Sequence, residues 1–170
     1  MAQRTDPPRS TGGDISLAAA LARGGIHRDV AGATVEETLA AVARLPGLPG
    51  VIDRTVLRRM LLAREALAST GLGGGIAVPH PREPPGAGLV QAPTVALCFL
   101  GRAVDWRAID GAPVRVLFVL LSPDTRTHLM TLSRLAYALR DETFAALVAA
   151  NASADALLAR ARALDPPAPR

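Results

Sequence analysis

Apolar and polar positions change period twice along the chain. DISLAAALARGG reads as a short helix, with Asp14 as its N-cap and Gly24 near its end. IHRDV at 26–30 is short enough for a strand. TVEETLAAVARLPG sets Thr34 and Glu37 at capping-box spacing and places Leu39, Val42 and Ala43 on one face. That helix is expected to stop at Pro46. In DRTVLRRMLLAREALAS, Asp53 can cap, and Val56, Leu57, Met60, Leu61 and Ala63 recur at helical spacing. Arg54, Arg58 and Arg59 lie towards another face.

The period then shortens. GIAV, TVALCFL and PVRVLFVLL are apolar and β-prone, and the last two read as buried strands of a central sheet. Helical spacing returns in THLMTLSRLAYALRD, with Leu129, Leu132, Leu135, Ala136 and Leu139 as the inward stripe and Thr125 or Thr127 as cap. ETFAALVAA and SADALLARARAL follow as two more helices, the second capped by Ser153. This order predicts an α/β fold: a single domain with a central mixed β-sheet flanked by helices. Its body runs over 14–164, after a flexible segment at 1–13 rich in Pro and Gly and before a loose tail at 165–170.

Composition narrows the function classes. Of 170 residues 49% are hydrophobic but only 3% aromatic, so one sizeable core is built from Leu, Val, Ile and Ala. Every basic residue is Arg, the net charge is only +4, and the arginines are scattered, which argues against a nucleic-acid partner. The single cysteine, Cys98, excludes an internal disulfide and reads as a small buried hydrophobe. No uncharged apolar run reaches the ~18–20 residues of a membrane span. ISLAAALA mimics a signal peptide, but Asp14 at its edge and the preceding prolines and glycines argue for a cytoplasmic chain.

One stretch concentrates the chemistry: GLGGGIAVPHPREPP at 71–85. Val78 and His80 each precede a proline and are pushed towards extended geometry. His80 therefore stands at the end of the GIAV strand on a rigid, exposed exit loop. Gly71, Gly73, Gly74 and Gly75 before it could offer N–H groups to an anion. A nucleotide P-loop is excluded, because no Gly-Lys-Ser/Thr ending is present. His27, His80 and His128 show no i, i+4 pairing, so no metal site is expected, and no nucleophile elbow supports a hydrolytic triad. A turn with a solvated histidine is one reading. The other is a nucleophile: neutral imidazole attacks phosphorus without a strong base, and Arg matches phosphate.

The pattern Glu65, Leu72, Gly73, Ile76, Ala77, Val78, Pro79, His80 resembles the phosphorylation-site signature of fructose/mannitol-type IIA proteins of the bacterial phosphotransferase system, the nitrogen-related branch included. DGAPVRVLFVLLSPDTRTHLMTLSRLAYALRDETF resembles the family's second block, and the likeness runs from about residue 14 to 164. It implies a IIA mannitol/fructose-like fold with His80 as the residue that takes and gives up phosphate. It implies His128 as its active-site partner and Arg64 as the arginine placed to meet the anion. It also implies an HPr-type phosphocarrier as donor, a IIB domain or a regulatory target as acceptor, and no cofactor. A protein-binding module that is switched by His80 phosphorylation, or no longer depends on it, is the alternative. Taken alone, Arg64 could form a helix-surface ion pair and His128 could be a helix N-terminal residue without a ligand. Pro81 departs from the pattern, which has a small residue there, and it removes an N–H after the histidine.

Overall fold

The computed structural model describes residues 15–167. Helix α1 (Leu17–Gly24) leads into strand β1 (Ile26–Val30), and helices α2 (Val35–Val42) and α3 (Arg54–Leu67) follow. Two very short strands, β2 (Gly71–Gly73) and β3 (Ile76–Ala77), precede the long pair β4 (Thr94–Val104) and β5 (Val114–Leu121). Helices α4 (Thr125–Arg140), α5 (Glu142–Ala149) and α6 (Ala154–Leu164) complete the order.

One mixed five-stranded sheet results, in the order β1-β4-β5-β3-β2. β4 and β5 pair antiparallel at its centre, with Cys98 opposite Leu117, while β1 runs parallel to β4 and β3 parallel to β5. The apolar runs of β4 and β5 are continuous because helices cover both faces of the sheet. Ala96, Cys98, Leu117, Val119 and Leu121 point into a core shared with α2, α3 and Trp106. Val95, Leu97, Phe99, Phe118 and Leu120 point into a second core shared with α1, α4, α5 and α6. Cys98 lies wholly inside the first, and burial pushes its thiol up to about 12. Gly24 lets α1 lie directly on the sheet, since a Cβ there would run into the Val95 carbonyl of β4.

The helix starts correct several expectations. Ser16 caps α1, accepting from the Ala19 N–H at 3.0 Å, whereas Asp14 lies outside the described residues. Asp165 falls where a loose tail is expected, yet it accepts from Ser16 Oγ at 2.6 Å and from the Leu17 and Ala18 N–H groups at 2.7 and 3.2 Å. It thereby ties the end of α6 to the positive end of α1. Helix α2 stops at Val42, short of Pro46. Helix α4 is capped by Asp124 rather than by either threonine; its carboxylate accepts the Thr127 N–H at 2.8 Å and the Thr127 hydroxyl at 2.9 Å. The inward stripe of α4 is shifted as well: Leu135 and Ala138 are buried, while Leu129 and Ala136 are exposed. On α3, Leu57 and Leu61 face the core, and Arg58 and Arg59 face water. Thr34, Asp53 and Ser153 cap their helices as the sequence suggests. Asp141 caps α5 and takes a two-pronged ion pair from Arg160 of α6 at 2.9 and 2.6 Å, which holds its carboxyl at about 2.

Candidate functional site

His80 stands three residues beyond the end of β3, where the chain continues alongside β5. The Leu120 N–H donates to the Pro79 carbonyl at 3.0 Å, and the Val78 N–H donates to the Thr70 carbonyl at 3.0 Å. The exit is thus gripped from both sides. Pro79 and Pro81 are buried, and His80 between them is half-buried. The exposed spur suggested by the prolines is in fact a packed strap, whose only partly exposed member is the ring.

The orientation of that ring has a local cause. His80 Nδ1 lies 2.7 Å from the Val78 carbonyl oxygen. A carbonyl only accepts, so Nδ1 carries the proton and the lone pair resides on Nε2. Burial holds the pKa of His80 below the ordinary histidine value; the Val78 bond opposes this, Arg64 adds to it, and Glu65 opposes it. The neutral ring is therefore favoured.

His128 reaches His80 from the first turn of α4, with ring centroids 4.9 Å apart and planes inclined by 45°. Its own pKa is lowered, first by burial and then by the charges of His80 and Arg64. Arg64, in the last turn of α3, donates from Nη1 to the Ala68 carbonyl at 2.8 Å. That bond satisfies a carbonyl at the helix end and leaves other guanidinium N–H groups for a further acceptor. Arg64 and His80 line one hollow of about 320 Å³, walled by Thr70, Leu72, Leu132 and Leu135. A larger hollow of about 790 Å³ lies between the start of α2 and the end of α3; Glu65, Ser69 and Trp106 line it and neither histidine does.

The glycine run does a different job from the one its composition suggests. Gly73, Gly74 and Gly75 all have positive φ and turn β2 into β3. The Gly71 N–H donates to Ser69 Oγ at 3.0 Å and the Gly74 N–H to Asp110 Oδ2 at 2.9 Å, so these two N–H groups are committed within the fold. Glu65 makes no ion pair with Arg64's guanidinium as its chief contact; it accepts the Thr70 N–H at 2.8 Å and the Thr70 hydroxyl at 2.6 Å. Thr70 and Trp106 are structural neighbours of the site that sequence reasoning missed, and the part the Val78 carbonyl plays in orienting His80 was not foreseen either. The signal for Trp106 was available: a lone tryptophan in an aromatic-poor chain must find an acceptor for its indole N–H when buried. His27 stands apart from the site and bonds through Nε2 to the Gly24 carbonyl at 2.8 Å. Among the described residues no three His, Cys, Asp or Glu side chains gather as a metal set, and no helix is long and apolar enough to cross a membrane.

Fold and site together define a class: a small α/β domain that presents a histidine, a second ring and an arginine beside an apolar hollow. Residues 20–160 match the model of the phosphoenolpyruvate-dependent sugar phosphotransferase system EIIA 2 family, and the chain belongs to that family. It is 41% identical over 112 residues to a nitrogen regulatory protein of Pseudomonas aeruginosa, covering 64% of this chain and 70% of that protein. The nitrogen regulatory protein IIA-Ntr of Neisseria meningitidis superposes with a TM-score of 0.71 at 29% identity, over 85% of this chain and 98% of that one. The IIA mannitol protein of Escherichia coli shares the fold, with a TM-score of 0.60 at 22% identity over 82% and 96% of the two chains.

Proposed function

We propose that this chain is a phosphohistidine protein, with residues 14–164 as its phosphotransfer domain, that takes a phosphoryl group from an HPr-type carrier onto His80. The observation that carries this reading is the 2.7 Å bond from Nδ1 to the Val78 carbonyl, which leaves the attacking lone pair on Nε2. Nε2 forms the new N–P bond as the donor's N–P bond breaks, and the electron pair of the broken bond returns to the donor ring. That ring, protonated on its other nitrogen, leaves as neutral imidazole. The proton stays on His80 Nδ1, donated in a hydrogen bond to the Val78 carbonyl, so the phosphorylated ring carries the positive charge the donor ring gives up. Arg64 screens the phosphoryl oxygens, and His128 donates a hydrogen bond to one of them. No metal is needed for that screening. In this role the chain works in the cytoplasm.

The phosphoryl group passes on to a IIB domain or stays on His80 as a signal. The likeness to proteins named for nitrogen regulation favours the second use. Docking of a target protein is then switched by the state of His80. Incubation with a phosphorylated HPr-type donor is the test. An acid-labile, base-stable label that disappears in His80→Ala supports the assignment, and a label unchanged in that variant refutes it. Pull-downs with and without phosphorylation test the switch: a partner that ignores the state of His80 removes it.

A further inference from the structure

Two of the three residues that link α3 to β2, Ser69 and Thr70, are clasped by the segment following β4. Ser69 Oγ donates to the Trp106 carbonyl at 2.6 Å, and Trp106 Nε1–H donates to Thr70 Oγ1 at 3.3 Å. Thr70 is then bonded on every side. Its hydroxyl donates to Glu65 Oε2 at 2.6 Å, its N–H donates to Glu65 Oε1 at 2.8 Å, and its carbonyl accepts the Val78 N–H at 3.0 Å. The Val78 carbonyl in turn accepts from His80 Nδ1 at 2.7 Å. A continuous line of hydrogen bonds thus runs from Trp106 through Thr70 and Val78 to the ring.

Trp106 is only 1% exposed and packs with Leu57 and Leu61 in one core. Filling that core needs only a large ring; the bond to Thr70 needs the indole N–H. A threonine hydroxyl offers one donor and two lone pairs. Here the donor is spent on Glu65 and a lone pair on Trp106, so the side chain is set from two directions. In a buried network such bonds reinforce one another.

We propose that Trp106 is a positioning residue for His80, acting through Thr70. Its indole N–H fixes the hydroxyl that, with Glu65, holds the Thr70–Val78 backbone pair against which the ring is aligned. The inference rests on the phosphohistidine reading and deepens it. When the Val78 carbonyl drifts, the ring loses its preference for a proton on Nδ1, and the other tautomer has no lone pair on Nε2 to attack with.

Trp106→Phe keeps a ring and removes the N–H; Thr70→Val keeps the shape and removes the hydroxyl. Two measurements follow each variant: the ¹⁵N signature of the neutral His80 ring in the free chain, and the rate of phosphorylation by an HPr-type donor at saturation. Each single variant is expected to lower the Nδ1–H fraction and to slow phosphorylation by about 3- to 10-fold, the scale of one hydrogen bond, with the donor dependence unchanged. In the Thr70→Val background Trp106→Phe adds nothing, because the two act as one unit. Thr70→Ser, which keeps the hydroxyl, behaves as wild type. The proposal is overturned by a Trp106→Phe chain that loses thermal stability while the His80 signature and rate stay at wild type. Full additivity with Thr70→Val overturns it too. The ring signature needs no donor, so a wild-type chain that takes no label but responds at His80 separates failure of the phosphohistidine reading from failure of the relay.

Discussion

The imidazoles of His80 and His128 come from the exits of two neighbouring parallel strands and meet with ring centroids 4.9 Å apart and planes inclined by 45°. His80 hangs from the extension of β3, and His128 stands in the first turn of α4 directly after β5. Because β3 and β5 run parallel, with Ala77 beside Leu117, both chains leave the sheet at the same end. Sheet register, rather than any local motif, brings the rings together. Arg64 adds a fixed positive charge that lowers the pKa of both.

Titration of the rings follows from those surroundings. Both folded-state values lie below the ordinary histidine value of 6.5. In an ¹⁵N-monitored titration the two midpoints fall below it, and Arg64→Gln raises both. The unfolded rings bind more protons between the folded values and 6.5, so stability is complete above that window and falls as pH drops through it. Midpoints at or above the ordinary value contradict this.

Removing the second ring tests what it does. His128→Ala leaves the nucleophile in place, so His80 still takes a label, but phosphorylation slows by roughly 10²-fold through loss of one donor to the phosphoryl oxygens. In the wild-type chain, phosphorylation puts up to about two negative charges beside His128, and its pKa then rises instead of being held down. Single-turnover labelling and a titration of the phosphorylated chain check the two effects. An unchanged rate in His128→Ala assigns the ring a structural role only.

Pro81 gives a different signature. It is buried and sits immediately after the nucleophile, so its fixed φ stiffens the strap. Pro81→Gly is expected to keep the label on His80 and to lower stability by about 0.4–1 kcal/mol through a freer unfolded chain. Thermal unfolding and labelling measured side by side check it. Loss of the label in a folded Pro81→Gly chain makes the proline part of the site chemistry.

Much of the architecture was legible because its cues are local. The unbroken apolar runs of β4 and β5 announce strands covered on both faces, and Thr34, Asp53 and Ser153 announce helix starts. The flanking prolines announce that His80 is outside a helix. What escaped depends on distant partners. Asp165 reads as tail until α1 arrives to be capped by it, and the glycine run reads as an anion cradle until Asp110 takes the Gly74 N–H. The stripe of α4 is misplaced because Leu129 fits the helical period yet is exposed, and periodicity alone cannot see which turn of a helix is covered. Thr70 is an ordinary residue in the sequence and gains its role only where Glu65, Trp106 and Val78 converge on it.

The most direct measurement is where the phosphoryl group sits. Long-range ¹H–¹⁵N correlation spectra of the chain, after treatment with a phosphorylated HPr-type donor, distinguish the two ring nitrogens of each histidine. The expected result is phosphorus on Nε2 of His80 with a proton retained on Nδ1. Phosphorus on Nδ1 of His80 or on any other residue, or a chain that takes up none, contradicts the assignment.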